Sequence, residues 1–216
     1  MPFDIAPHIA PATTAVVALE VQRNLLDPSD SMLPGIARHA EQIGLVDRLA
    51  GLYAEARRVG AQVVYISDDR RADGLGAPSN LMIARAVKGN QEWFVHGDVV
   101  DALKPEPADI VIGRALGMTG FFTTPLDAYL RNLGITTVIL TGVSANIAVN
   151  GTSIEAMNLG YRVVVPGDGI AGDPPEYVEQ LLRYTIRNLA IVTTVDHILA
   201  HWNGLPGVSR SRPTPS

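Results

Sequence analysis

Residues 135–171 read ITTVILTGVSANIAVNGTSIEAMNLGYRVVVPGDGIA. The stretch opens with Ile135–Leu140, an apolar, β-branched run of the kind a strand buried on both faces requires. It stops at Thr141-Gly142-Val143-Ser144, where small residues allow a sharp turn. Ile147, Ile154 and Met157 then recur at helical spacing, which predicts an amphipathic helix closed by Gly160. Tyr161–Val165 is a second buried strand, and Pro166-Gly167-Asp168-Gly169 a loop. Strand, helix and strand in this order form a βαβ unit. In open α/β sheets ligands sit where strands hand over to helices, so the site is expected at the turn Ser144–Ala148.

Outward from this unit the same alternation repeats. Ala15–Leu19 is the first strand and runs into Glu20-Val21-Gln22-Arg23-Asn24. A single long helix is predicted from about Gly35 to Val59, with Ile36, Ile43, Val46, Leu49, Leu52 and Tyr53 on its apolar face. Gly60 ends it, and Ala61–Ile66 is the second strand. The loop from Ser67 to Ser79, carrying Asp68, Asp69, Arg70, Arg71 and Asp73, reads as a solvated surface loop. Short helices are expected near 80–87 and 98–103, with Trp93, Phe94 and His96 between them. Asp109–Gly113 is the third strand, followed by Arg114 and a glycine-containing loop. A helix then starts at Thr124-Pro125 and stops at Gly134. Beyond the central unit come a helix over 174–188, a sixth strand Ala190–Thr194 and a helix near 195–202. The expected fold is α/β: a three-layer αβα sandwich on a six-stranded, doubly wound parallel sheet with the first strand central. One domain covers 1–203, and the Pro/Ser/Arg-rich 204–216 reads as a disordered tail.

Composition narrows the function. The 216 residues contain no Cys, which removes disulfides, thiolate metal sites and a cysteine nucleophile. A net charge of −5 without a basic block argues against nucleic acid as the main partner. No apolar run approaches the ~20 residues of a membrane span, and the N-terminus lacks a signal-peptide pattern, so a cytoplasmic protein is expected. Among the histidines, His39 is expected on a helix surface, and His197 and His201 share a helix face by coincidence. No metal and no cofactor is predicted. Abundant apolar residues predict a homo-oligomer, dimer or tetramer, with Trp93 and Phe94 as candidates for the interface or the pocket wall.

Three strand ends carry polar groups toward one edge: Glu20, Arg114 and the turn Ser144–Ala148. Taken alone, a Glu at a strand end is commonly a cap or an ion-pair partner; convergence with two other ends turns it into a site candidate. Gln22, Asn24, Ser144, Asn146 and Asn150 add polar side chains along the same edge.

These residues resemble the isochorismatase-like hydrolase superfamily, which includes nicotinamidases, N-carbamoylsarcosine amidohydrolases and isochorismatases. The resemblance covers roughly residues 13–198 and is carried by TGVSANIAVNGTSIEAMNLGYRVVVPGDGIAG, by FFTTPLDAYL from Phe121, and by the strand Ala18–Asn24. It implies a pocket that includes Gln22, Asn24, Phe121, Ser144 and Asn146. Amidases of the family use an Asp, a Lys and a nucleophilic Cys; these fall here on Glu20, on Arg114 or Ala115, and on Ala148. An alanine has no nucleophilic atom and a guanidinium keeps its proton, so thioester-type amide hydrolysis is excluded. Isochorismatases proper also lack the Cys and protonate a vinyl ether. On that pattern Glu20 is the acid, while Arg114 and the 144–148 amides stabilise anionic charge. The resemblance also implies a cis peptide at Val143–Ser144. Two readings stay open: a cysteine-independent hydrolase of a small anionic or carbonyl-containing metabolite, and an inactive relative that binds a small molecule or a protein through the same pocket. Ser144 is a weaker third candidate, as a nucleophile without a His to activate it.

Overall fold

The strand β1, Thr14–Leu19, is buried at every residue and sits third in a six-stranded parallel sheet, in a computed structural model. The model describes residues 4–29, 31–71, 73, 75–76, 80, 82 and 97–208. The other strands are β2 (Gln62–Asp68), β3 (Ile110–Arg114), β4 (Thr137–Gly142), β5 (Arg162–Pro166) and β6 (Ile191–Thr193), in the spatial order β3-β2-β1-β4-β5-β6. Every pairing is parallel. The order reverses direction at β1, which places the switch point between β1 and β4.

Alternation along each strand builds two cores. Val16, Ala18, Val63, Tyr65, Ile139 and Val164 face one side. There they meet Leu45, Leu49, Leu52 and Tyr53 of α3 (residues 45–59 in the chain) and Ile198 and Trp202 of the final helix. Ala15, Val17, Leu19, Val138, Leu140 and Val165 face the other. Their partners include Leu126 and Leu130 of α4 (Leu126–Asn132), Ala156 of α5 (Asn150–Asn158) and Val178 and Leu181 of α6 (Pro175–Tyr184). Each fully buried large aliphatic side chain contributes about 2 kcal/mol. Two interior polar groups find partners across the core: Tyr53 Oη lies 2.8 Å from Thr141 Oγ1, and Trp202 Nε1 donates to the Ile9 carbonyl at 2.9 Å. Among the described residues no helix is long and apolar enough to cross a membrane.

The architecture matches the sequence reading, with four corrections. The expected helix over 35–59 is two helices, α2 (Pro34–Gln42) and α3 (Leu45–Val59), after the short α1 (Arg23–Leu26). Gly44 between them is left-handed at φ 61°, a conformation in which the α-helix cannot continue. His39 is buried rather than on the surface: its Nδ1 lies 2.9 Å from Gly172 O and 3.2 Å from Gly172 N. Ile147, Ile154 and Met157, read as the packing stripe, are about 40% exposed. The buried face is Val149, Thr152, Ser153 and Ala156, small enough for the helix to lie close on the sheet. The helix expected over 98–103 is a single 3-10 turn, Asp101–Leu103. The helix expected near 80–87, and with it Lys88, Trp93, Phe94 and His96, falls outside the described residues apart from Asn80 and Met82. The last helix, α7, spans Val195–Trp202. Residues 204–208 lie against the end of α3, where Val208 N donates to Arg58 O at 2.9 Å and Arg58 Nη1 to Leu205 O at 3.0 Å.

Candidate functional site

The carboxyl ends of β1, β2 and β3 lie side by side, since Leu19 pairs with Ile66 and Asp68 with Arg114. The residue after β1 is Glu20, the last of β2 is Asp68, and the last of β3 is Arg114. Strand register therefore brings one cation and two carboxylates together. Glu20 Oε1 accepts from Arg114 Nη2, and Asp68 Oδ1 lies 4.0 Å from the same nitrogen and 2.8 Å from Arg70 Nε. The Arg114 side chain is 2% exposed and that of Glu20 13%. Two Arg114 nitrogens, Nε and Nη1, have no hydrogen-bond partner among the described residues.

Glu20 adopts φ 51°, in the left-handed region, at roughly 1–2 kcal/mol for a residue with a Cβ. Strain of this kind at a strand end persists where the surroundings hold it, and it marks candidate sites. Here the hold comes from Glu20 N donating to Ile66 O at 2.8 Å and from the Arg114 pair. Burial pushes the Glu20 carboxyl above its ordinary value; the Arg114 charge opposes this and Asp68 adds to it.

Beside Glu20 opens a cavity of about 350 Å³. Its walls are apolar: Leu25, Leu33, Ile36, Met118, Val143 and Ile147. Glu20 and Ser144 are polar groups within it, while Arg38, Asn146 and Asp173 also contribute to its lining. On the β4 side, Gly142 has φ 98°, and a Cβ there would overlap the Leu19 carbonyl oxygen, so β4 can leave the sheet this close to β1 only with glycine. The Val143–Ser144 peptide is cis, as the resemblance implies. A π-helical turn, Ala145–Val149, then leads into α5. Ala145 N is taken by Ala171 O at 2.7 Å, leaving the amides of 146–148 as the first of the helix without an earlier carbonyl in it.

The polar residues named from sequence thus divide. Glu20, Ser144 and Asn146 line the cavity. Arg114, expected to anchor an anion, is not in the cavity lining: it is buried and joined to the Glu20 carboxyl. Gln22 is 1% exposed and not at the cavity; its amide accepts from Asp68 N and donates to Asp68 O, tying the chain after β1 to the end of β2. Asn24 is away from the cavity too, its Oδ1 buried and without a partner among the described residues. Phe121 stacks on Tyr161 at 5.8 Å between ring centroids. Asn146 grips the backbone of Asp173 from both sides, Nδ2 to O at 2.7 Å and N to Oδ1 at 3.1 Å. Ala148, 2% exposed, lies in the turn but is not part of the cavity lining. Asn150 Oδ1 is buried without a partner among the described residues.

The sequence places Asp68 and Arg70 in a solvated surface loop and gives no part to Arg38 or Asp173. Arg70 is 8% exposed and ties Asp68 to the Gly117 carbonyl at 3.2 Å, so the start of the 67–79 loop belongs to the buried charge cluster. The available signal was position: Asp68 follows the second strand as Glu20 follows the first. Among the described residues no three His, Cys, Asp or Glu side chains gather to hold a metal ion.

Comparison with known proteins places this edge in context. The isochorismatase domain model matches residues 14–197. The ureidoacrylate amidohydrolase RutB of Methylobacterium radiotolerans is 31% identical over 182 residues, 77% of this chain and 70% of that protein. Its namesake in Methylorubrum extorquens is 34% identical over 155 residues, and the match spans 62% of that protein. Two solved structures superpose with a TM-score of 0.75. One is a cysteine hydrolase from Pseudomonas syringae pv. phaseolicola, 20% identical and covering 94% of this chain and 95% of that one. The other is an isochorismatase family protein from Burkholderia thailandensis, 26% identical and covering 89% and 96%. From β1 to α7, strand ends and cavity included, the chain belongs to the isochorismatase domain family.

Proposed function

We propose that this protein is a hydrolase that works without a cysteine nucleophile, on a small metabolite carrying an anionic or carbonyl group. The observation that carries the reading is Glu20: a carboxyl group held above its ordinary pKa, in the lining of a mainly apolar cavity of about 350 Å³. A carboxyl so placed stays protonated to higher pH and serves as a general acid, then as the base when the proton returns. Similarity to ureidoacrylate amidohydrolases supports a carbonyl joined to nitrogen as the scissile group. Since the chain has no Cys, water is the nucleophile. Glu20 as carboxylic acid gives its proton to the leaving nitrogen, and as carboxylate takes one from the attacking water, so the group ends as it began. Charge developing on the carbonyl oxygen meets the amides of 146–148 at the helix start. Arg114 acts on Glu20, setting its position, rather than on substrate.

The test is a screen of small amides, ureas and enol ethers with product detection by mass spectrometry. Wild type should consume at least one compound. Glu20→Gln should abolish turnover while holding affinity within roughly tenfold, about 1.4 kcal/mol. Equal rates in wild type and variant would sink the assignment; no consumption by the wild type would favour a binding protein.

A further inference from the structure

The cavity lining holds two opposite charges that do not pair with each other. Arg38, on the exposed side of α2, has no hydrogen bond or ion pair among the described residues, and neither does the Asp173 carboxylate. An exposed, solvated pair is the plain expectation for such side chains, but the Asp173 segment is held with unusual care. Asn146 grips its backbone N–H and carbonyl, and His39 Nδ1 sits against both backbone groups of Gly172. The carboxylate lies on Gly35, where any Cβ would overlap it, at the N-terminal turn of α2, an end that favours negative charge. Gly35 and Arg38 are three residues apart on one helix, neighbours about 5–6 Å apart on its surface. A carboxylate fixed above one and a guanidinium rising from the other therefore flank the same opening.

We propose that Arg38 and Asp173 form the specificity element of this cavity, selecting a small ligand that carries a carboxylate and, a few bonds away, an N–H donor. Arg38 binds the carboxylate through its planar fork, and Asp173 accepts from the N–H. The apolar walls take the rest of the molecule. This rests on the hydrolase reading for the meaning of the ligand as substrate, but it is tested by binding alone.

The experiment is calorimetric titration of the full chain, wild type and Glu20→Gln, with N-acetylglycine and N-hexanoylglycine, their methyl esters and their N-methylated analogues. The acids should bind at least tenfold more tightly than the esters, and the N–H compounds at least fivefold more tightly than the N-methyl ones. Arg38→Gln should erase the first preference only, and Asp173→Ala the second only. Gly35→Ala, which displaces the carboxylate without removing its charge, should act like Asp173→Ala. Absence of binding by every acid, equal affinities across a pair in the wild type, or preferences unmoved by the substitutions would each overturn the proposal. Selective binding without turnover of any screened compound would instead leave it standing and refute the hydrolase reading.

Discussion

Glu20 carries opposing demands. Its raised pKa means that the folded protein holds a proton that the unfolded chain has already released. The stability this supplies is complete below the ordinary value of 4.5 and is lost as pH rises through the folded value. Glu20→Gln, neutral throughout, should therefore match the wild type near pH 4 and gain on it as pH rises above 4.5, the gain levelling off above the folded value. Urea denaturation at a series of pH values measures the difference, and a gap that moves the other way would show Glu20 to be held below its ordinary value. A stability gain at the expense of turnover is the usual exchange at a strained, functional position. Ala148 gives a second expectation. It is buried and outside the cavity lining. Ala148→Cys should not yield an efficient amidase, because misplacing a catalytic group by ~1 Å costs on the order of 100-fold. Rapid hydrolysis of nicotinamide by this variant would contradict it.

At the scale of elements, the sheet edge is braced by ion pairs formed between strands and helices. Arg57 of α3 meets Asp109, just before β3, at 2.7 Å, and donates to Tyr65 Oη of β2 at 3.0 Å. Asp109 is 2% exposed in its side chain and also accepts from Glu106 N at 2.7 Å. Asp109→Ala should lower stability by about 3 kcal/mol, because it strands a partly buried guanidinium and a backbone N–H. Thermal unfolding reads this directly, and a loss below about 1 kcal/mol would mean that solvent replaces the pair. The elements themselves were largely legible. β1 and β4 are short apolar runs buried on both faces, a local property, and each predicted strand lies within a residue or two of the observed one. The split of α2 from α3 was not, because a glycine inside a helical pattern reads as a weak residue until its left-handed φ is seen.

For the whole molecule, the stripe of Ile147, Ile154 and Met157 on the turn and helix after β4 is one apolar feature that the fold leaves partly exposed, Ile147 also reaching the cavity wall. Apolar residues clustered on a surface helix commonly mark an interface. We expect a homodimer at micromolar concentration, and Ile154→Glu combined with Met157→Glu to convert it to monomer. Light scattering after size exclusion measures both; a monomeric wild type would end this expectation. The stripe had been read as core-facing because spacing identifies a helix face without saying which face turns inward. Thr152, Ser153 and Ala156 won the inner position because the helix sits too close to β4 and β5 for larger side chains.

What the amino-acid sequence determined by itself was the sheet and the family. Alternating buried strands and helices leave few topologies, and a right-handed parallel fold must gather its strand ends on one edge. From that alone Glu20 and the Ser144 turn could be named as candidates at that edge, where both line the cavity. Which polar side chains reach the cavity was decided only by tertiary structure. Gln22 is turned toward the Asp68 backbone, and Asn146 toward that of Asp173, because buried or crowded amide groups must be matched wherever a partner lies. Those partners are 46 and 27 residues away in the chain, a separation at which residue spacing carries no directional information. The same holds for Arg114, whose charge is answered by Glu20 across three strands and so never reaches the ligand space it was expected to serve.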